Sequence, residues 1–119
     1  MKDKDELGRR GEQLAAEYLE RAGLRILDRN WRCETGELDI VALEQRVLVI
    51  CEVKTRSGLR YGSPIEAVSQ SKRLRLRRLA AAWLAAQGLG WFEEVRIDVI
   101  GLVGNGSGEF TLEHVRGVG

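Results

Sequence analysis

The chain has 119 residues, of which 44% are hydrophobic and 31% charged, and its formal net charge is +1. That length holds one domain with one core, and the apolar share excludes a chain that stays unfolded. Overall charge gives no argument for nucleic acid, no apolar run nears the roughly 18 residues needed to cross a bilayer, and the opening Met1-Lys2-Asp3-Lys4-Asp5-Glu6 has no apolar stretch behind it as a signal peptide would.

The first predicted element is a helix. Leu7, Gly11, Leu14, Ala15, Tyr18 and Leu19 recur at helical spacing, and Gly23 supplies a stop. Leu24 to Trp31 reads as a strand, with Asn30 and the stretch from Cys33 to Gly36 as turn material. Two β-rich runs follow, Glu37 to Leu43 and Val47 to Lys54, joined by Glu44-Gln45-Arg46; they read as a hairpin. Ser63-Pro64-Ile65-Glu66 predicts a helix start, with Ser63 as N-cap, Pro64 at the first helical position and Glu66 completing a capping box. That helix runs to Gln87 and stops at Gly88, with Ser69-Gln70-Ser71 as a point of interruption. Glu94 to Val103 is another strand, and Phe110 to Val115 a last one beyond the glycine-rich turn Gly104 to Gly108. Helix, three strands, helix and one or two strands, with short links between the first strands, predict a mixed α/β fold whose helices cover the sheet.

Charge is unevenly spread. Arg56, Arg60, Lys72, Arg73, Arg75, Arg77 and Arg78 fall in one stretch with a single acid, Glu66, while residues 1 to 44 hold more acids than bases. Such a division suits an enzyme that grips phosphates and holds a cation. The plainer alternative is a solvated basic helix face. Arg73 and Arg77 are one helical turn apart, and Lys72 and Arg75 form a neighbouring pair.

The hairpin carries the chemistry. Alternation puts Glu52 and Lys54 on one strand face. If the hairpin closes evenly about Gln45 and Arg46, Glu44 faces Val47, Leu43 faces Leu48, and Asp39 comes opposite Glu52. An odd-numbered loop would break that alignment unless a bulge restored it. Two carboxylates at cross-strand distance repel unless a cation lies between them, and Mg²⁺ or Mn²⁺ suits an oxygen donor set. Lys54 is placed to orient a water or to stabilise charge on a phosphate. For Glu52-Val53-Lys54 alone, an ordinary Glu-Lys pair on an exposed strand face is the better reading, since such tripeptides are common. Glu12 lies at the edge of the first helix's apolar stripe and would point toward the sheet or reach solvent.

Together, Gly11-Glu12, Gly36-Glu37-Leu38-Asp39-Ile40-Val41, Glu52-Val53-Lys54-Thr55-Arg56 and Arg96-Ile97-Asp98-Val99 resemble the YraN family of small bacterial proteins. That family is similar to the restriction-endonuclease-like, PD-(D/E)XK superfamily, which also includes archaeal Holliday junction resolvases. The resemblance spans roughly residues 8 to 102, with Leu38 where the superfamily's name has proline. It implies a restriction-endonuclease-like mixed sheet flanked by helices, an αβββαβ core plus a C-terminal strand, as one nuclease-like domain over residues 1–119. It also implies that Asp39 and Glu52 bind the metal, that Lys54 is catalytic and that Glu12 assists.

The expectation is therefore a metal-dependent nuclease acting on DNA, branched or structured DNA included, with Mg²⁺ or Mn²⁺ as cofactor and Arg56, Lys72, Arg73 and Arg77 at phosphates. DNA is favoured over RNA, a homodimer is left open, and no membrane is involved. The rivals are a nucleic-acid-binding module without turnover and a protein-interaction domain whose basic helix meets an acidic partner. Cys33 and Cys51, without metal-ligand spacing, fit a reduced cytoplasmic protein. The only histidine, His114, reads as a strand-edge residue, Asp98 as a structural carboxylate, Cys51 as core, and Trp31, Trp83 and Trp91 as core and interface residues.

Overall fold

The computed structural model describes residues 2–58, 64–88, 92 and 94–118. Arg60 of the basic segment, the expected cap Ser63 and the expected core residue Trp91 lie outside the described residues, as does the side chain of Glu66.

Helix α1 spans Lys2–Arg21. Strands β1 (Arg25–Cys33), β2 (Gly36–Glu44) and β3 (Val47–Arg56) follow, then helix α2 (Gln70–Gln87), β4 (Glu94–Gly104) and β5 (Phe110–Val115). The five strands form one sheet in chain order. β1, β2 and β3 pair antiparallel, as two-residue links require. β3 and β4 pair parallel, because α2 carries the chain back before β4 begins. β5 returns antiparallel along β4. The fold is thus a mixed α/β sheet flanked by helices, in the order the hydrophobic pattern predicts.

The middle strands are apolar on both faces, since each face is covered by a helix. On one side, Ala15, Ala16 and Leu19 of α1 pack on Ile40, Val49 and Ile100. On the other, Leu76, Leu79 and Trp83 of α2 pack on Leu38, Leu48 and Ile50. Trp83 is buried, and its indole N–H donates to Asp28 Oδ2 at 2.9 Å, as a buried indole requires.

Two local expectations are corrected. Pro64–Ala67 forms only a 3₁₀ turn, and α2 begins at Gln70 with Ser69 as its cap, Lys72 N–H donating to Ser69 Oγ at 3.2 Å. The turn is held down by tertiary packing: Pro64 and Ile65 lie against Gly101, where a Cβ would meet Pro64 Cβ at 3.1 Å. Asn30 is no turn terminus either. β1 runs through it to Cys33, and Asn30 takes a left-handed φ of 52° inside the strand.

Candidate active site

The β2–β3 hairpin is where the candidate residues meet. Its register runs from Glu44↔Val47 through Leu43↔Leu48 to Ile40↔Cys51, the even closure about Gln45 and Arg46. Gln45 accommodates that turn with φ 54°. One step further along, Val53 N–H donates to Asp39 Oδ2 at 2.9 Å. The Asp39 carboxylate thereby reaches across to β3, beside Glu52.

Asp39 is 8% exposed and Glu52 5%, so two acids are withdrawn from water side by side. Burial first, and the facing Glu52 second, push the Asp39 carboxyl up to about 8; the Val53 N–H opposes them. The two carboxyls are within hydrogen-bonding range of each other. Like charges so placed hold a proton between them or attract a cation.

Two ammonium groups answer Glu52. Lys54 Nζ is 3.5 Å from Glu52 Oε2, as alternation along β3 predicts. Lys72 Nζ, from the first turns of α2, is nearer at 3.1 Å. These groups, with Gly36, Glu37, Arg75 and Leu79, line a cleft of about 230 Å³. Glu37 is tied to Arg32 by a 2.7 Å ion pair. Gly36 makes the cleft floor: its φ is 150°, and a Cβ there would lie 3.2 Å from Leu79 Cδ1 of α2.

Glu12 reaches the site from the opposite layer. It is half-buried, and burial raises its carboxyl, with further repulsion from Glu37 and Glu52; the side chain of Asn30 hydrogen-bonds to it and opposes the shift. Its approach depends on Gly11, which is buried. A Cβ there would overlap Thr55 Oγ1, with Thr55 Cβ and Cγ2 at 3.0 Å. Only glycine lets α1 sit so close to the residue after Lys54.

The basic residues expected at phosphates divide. Lys72 is at the cleft, and Arg75, paired with it on α2, lines the same wall. Arg56 follows Lys54 by two residues on β3, and its buried Nε has no hydrogen-bond partner among the described residues. Arg73 and Arg77 are not brought to the cleft: Arg77 reaches the Val95 carbonyl at 3.4 Å, beside the far end of β3. Lys72 as the partner of Glu52, and Asn30 beside Glu12, are contacts that sequence reasoning missed. Asn30 had one usable signal, since asparagine inside a β-rich run is the residue that best tolerates positive φ.

Asp98 and His114 belong elsewhere. Asp98 is fully buried and accepts from Arg96 Nε at 2.8 Å, Arg96 Nη2 at 3.0 Å, His114 at 2.8 Å and Gly117 N–H at 3.1 Å. Its carboxyl is lowered to about 2, His114 and Arg96 outweighing the opposing burial. The structural role expected for Asp98 holds. His114 does lie on the edge strand β5, but its side chain is covered: it is 4% exposed and its Nδ1 lies 2.9 Å from the Tyr18 hydroxyl. A second cleft, of about 350 Å³, opens beside Leu7, Arg10 and Phe110, away from the carboxylate pair.

Residues 11–102 match the model of the uncharacterised protein family UPF0102. The chain belongs to that family. It is 56% identical over 119 residues to a UPF0102 protein of Arthrobacter sp. (strain FB24), covering 100% of both chains. It is 52% identical over 118 residues to one from Paenarthrobacter aurescens, covering 99% of this chain and 97% of that one, and 51% identical over 116 residues to one from Nocardioides sp., covering 98% and 93%. The stretch matched by the UPF0102 model begins at Gly11, the close-approach glycine, and takes in Glu12, Asp39, Glu52, Lys54 and Lys72.

In this UPF0102 chain the donors suit a hard divalent cation. Asp39 and Glu52 offer only oxygen, and both are buried side by side, where a dication would offset their repulsion. Among the described residues no group of three acids, histidines or cysteines converges. Two carboxylates are enough for Mg²⁺ or Mn²⁺, which keep water and phosphate oxygens as their remaining ligands. No described helix is long and apolar enough to cross a membrane.

Proposed function

We propose that this chain is a cytoplasmic, metal-dependent phosphodiesterase acting on DNA, with its site on the β2–β3 hairpin. The observation that carries the reading is the buried Asp39–Glu52 pair with Lys54 and Lys72 at Glu52, in a cleft rimmed by Arg75. Buried like charges beside mobile ammonium groups make little sense as structural support and good sense as a site for a cation and a phosphate. The likeness to the YraN family and to the restriction-endonuclease-like superfamily supports the same assignment, and with it DNA, branched forms included.

Hydrolysis adds water to phosphorus and breaks one P–O bond to sugar, and the departing oxygen takes up a proton. Negative charge grows on the phosphoryl oxygens as this happens. Asp39 and Glu52 would hold Mg²⁺ or Mn²⁺, which supplies positive charge at that point. Lys54 orients the attacking water or offsets the growing charge from the same strand face. Glu12, held by Asn30, adds the field of a further carboxylate near the pair without converging on it. Arg56, Lys72 and Arg75 meet backbone phosphates, and Arg73 and Arg77 extend that contact along the other flank of α2.

The test is cleavage of duplex, single-stranded, flap and four-way-junction DNA by the purified chain, with Mg²⁺ or Mn²⁺ and with EDTA. Metal-dependent cutting that Glu52→Gln abolishes is the expected result. One observation favours a second reading, a binding module without turnover: Glu52 is already answered by two lysines, and among the described residues no third acid converges with the pair. Metal-independent DNA binding with no cutting of any substrate would establish it instead.

A further inference from the structure

Glu52 is nearly buried and bound to two ammonium groups of different origin. Lys54 comes from its own strand and is fixed beside it by alternation. Lys72 comes from α2, in another layer, and is the nearer at 3.1 Å. Its side chain is 29% exposed against 6% for that of Glu52, so it stands at the mouth of the cleft and reaches inward. Arg75, one helical turn on, lines the same wall without an ion pair to either acid.

Three acids, Glu37, Asp39 and Glu52, and three bases, Lys54, Lys72 and Arg75, line this cleft. A dication entering between Asp39 and Glu52 adds positive charge beside those bases. It competes with Lys72 for Glu52 and repels an ammonium left a few ångströms away. Lysine, a point charge on a flexible stem, can leave by rotating about its own bonds. The nearest place for it is beside Arg75, and the ligand that suits the pair is a phosphodiester oxygen.

We propose that Lys72 is an exchangeable counter-ion, held by Glu52 in the cation-free cleft and released with Arg75 to a backbone phosphate when Asp39 and Glu52 hold a divalent cation. The inference rests on the proposed function for the cation alone and not on cleavage. It makes cation and nucleic-acid binding mutually reinforcing, each favouring the arrangement the other needs. Without the cation, Lys72 is spent on Glu52 and adds nothing to backbone affinity.

The test uses Lys72→Met and Lys72→Gln, two variants so that a folding defect in one leaves the other to decide, each checked by its melting temperature. Calorimetric titration with Mn²⁺, without nucleic acid, should show both variants binding about three- to tenfold more tightly than wild type, since a competing charge is gone. Anisotropy with a hydrolysis-resistant phosphorothioate oligonucleotide should show affinity in Mn²⁺ reduced about tenfold, with a salt slope smaller by about one. In EDTA the variants should bind the oligonucleotide as wild type does. Weaker or unchanged Mn²⁺ binding by the variants overturns the exchange, because Lys72 then supports Glu52 or does not compete for it. Equal loss of oligonucleotide affinity in EDTA and Mn²⁺ also overturns it, since Lys72 is then a fixed phosphate contact. Absence of Mn²⁺ binding in wild type and variants alike does the same. A protein that shows the exchange and yet cuts no DNA keeps this inference and loses the nuclease reading.

Discussion

Gly11→Ala separates the demands of helix α1 from those of the site. In an isolated helix the change is favourable by about 1 kcal/mol, because alanine has far less backbone entropy to lose. Here the new Cβ would overlap Thr55 Oγ1 and lie 3.0 Å from both Thr55 Cβ and Cγ2. Rotating Thr55 about χ1 can turn the γ atoms aside but leaves Cβ in place at 3.0 Å, so the remaining strain falls on backbone. Overpacking of this kind costs about 1–3 kcal/mol. The net expectation is destabilisation by about 1–2 kcal/mol, read as a lower urea midpoint at unchanged m-value. Thr55→Ala removes both γ atoms and should return about 1 kcal/mol of that loss in a double-mutant cycle. Glu12, the next residue, would retreat with α1, so any metal-dependent activity should fall further than stability does. If Gly11→Ala raises stability by the amount helix propensity predicts, or if Thr55→Ala leaves the effect untouched, α1 does not rest on β3 as described.

Lys54→Ala should leave the melting temperature almost unchanged, as expected for a partly exposed ion pair, and slow DNA cleavage on the order of 10²- to 10³-fold; equal cutting by mutant and wild type would remove Lys54 from the chemistry. Asp39→Asn should abolish Mn²⁺ binding in calorimetry while its stability in EDTA holds or rises, because the amide oxygen still accepts from Val53 N–H and a buried like charge beside Glu52 is gone. Undiminished Mn²⁺ binding would move the cation off this hairpin. Asp98 supplies the pH dependence: its carboxyl is lowered to about 2 from 3.8, so the unfolded chain takes up this proton first as pH falls. Its stabilisation, on the order of 2 kcal/mol, is complete above pH ~4 and lost as pH falls toward ~2; urea midpoints across that range should decline less steeply in Asp98→Asn, and parallel slopes would count against the assignment. Finally, Arg75→Ala should reduce DNA affinity more than Arg73→Ala with Arg77→Ala, because only Arg75 lines the cleft; a larger loss from the pair would put the nucleic acid on the other flank of α2.

The hairpin was legible because it obeys a rule with a period of two. Once the turn is centred on Gln45 and Arg46, every facing pair from Glu44↔Val47 onward follows, and Asp39 must arrive near Glu52. The start of α2 was not legible, because two caps compete within seven residues. Ser63-Pro64-Ile65-Glu66 has the better local pattern, yet Ser69 caps the helix. The deciding term is tertiary: Pro64 and Ile65 pack on Gly101, and α2 must set Leu76, Leu79 and Trp83 on the sheet. The contact of Lys72 with Glu52 was not legible for a related reason. Which side of a basic helix meets an acid depends on how the helix docks, and spacing along the helix carries no record of that. His114 looked like an edge residue and sits on an edge strand, but Tyr18 of α1 covers it, a contact between residues 96 apart in sequence.

The contrast between two buried aspartates on one sheet bears on what the hairpin is for. Asp98 is fully buried and fully answered: a guanidinium grips it with two nitrogens, and a histidine and a backbone N–H complete its partners. Asp39 is buried almost as deeply, receives one backbone N–H, and faces another acid. Nothing in strand geometry forces that difference, since Asp98 lies on β4, which pairs in parallel with the same strand β3 that carries Glu52. The chain can satisfy a buried aspartate and does so at Asp98, where only structure is at stake. At Asp39 it leaves the carboxylate short of partners, supplies Lys54 and Lys72 within reach, and uses Gly11 to bring Glu12 close. An ion that joins both carboxylates, as proposed above, would turn that repulsion into attraction.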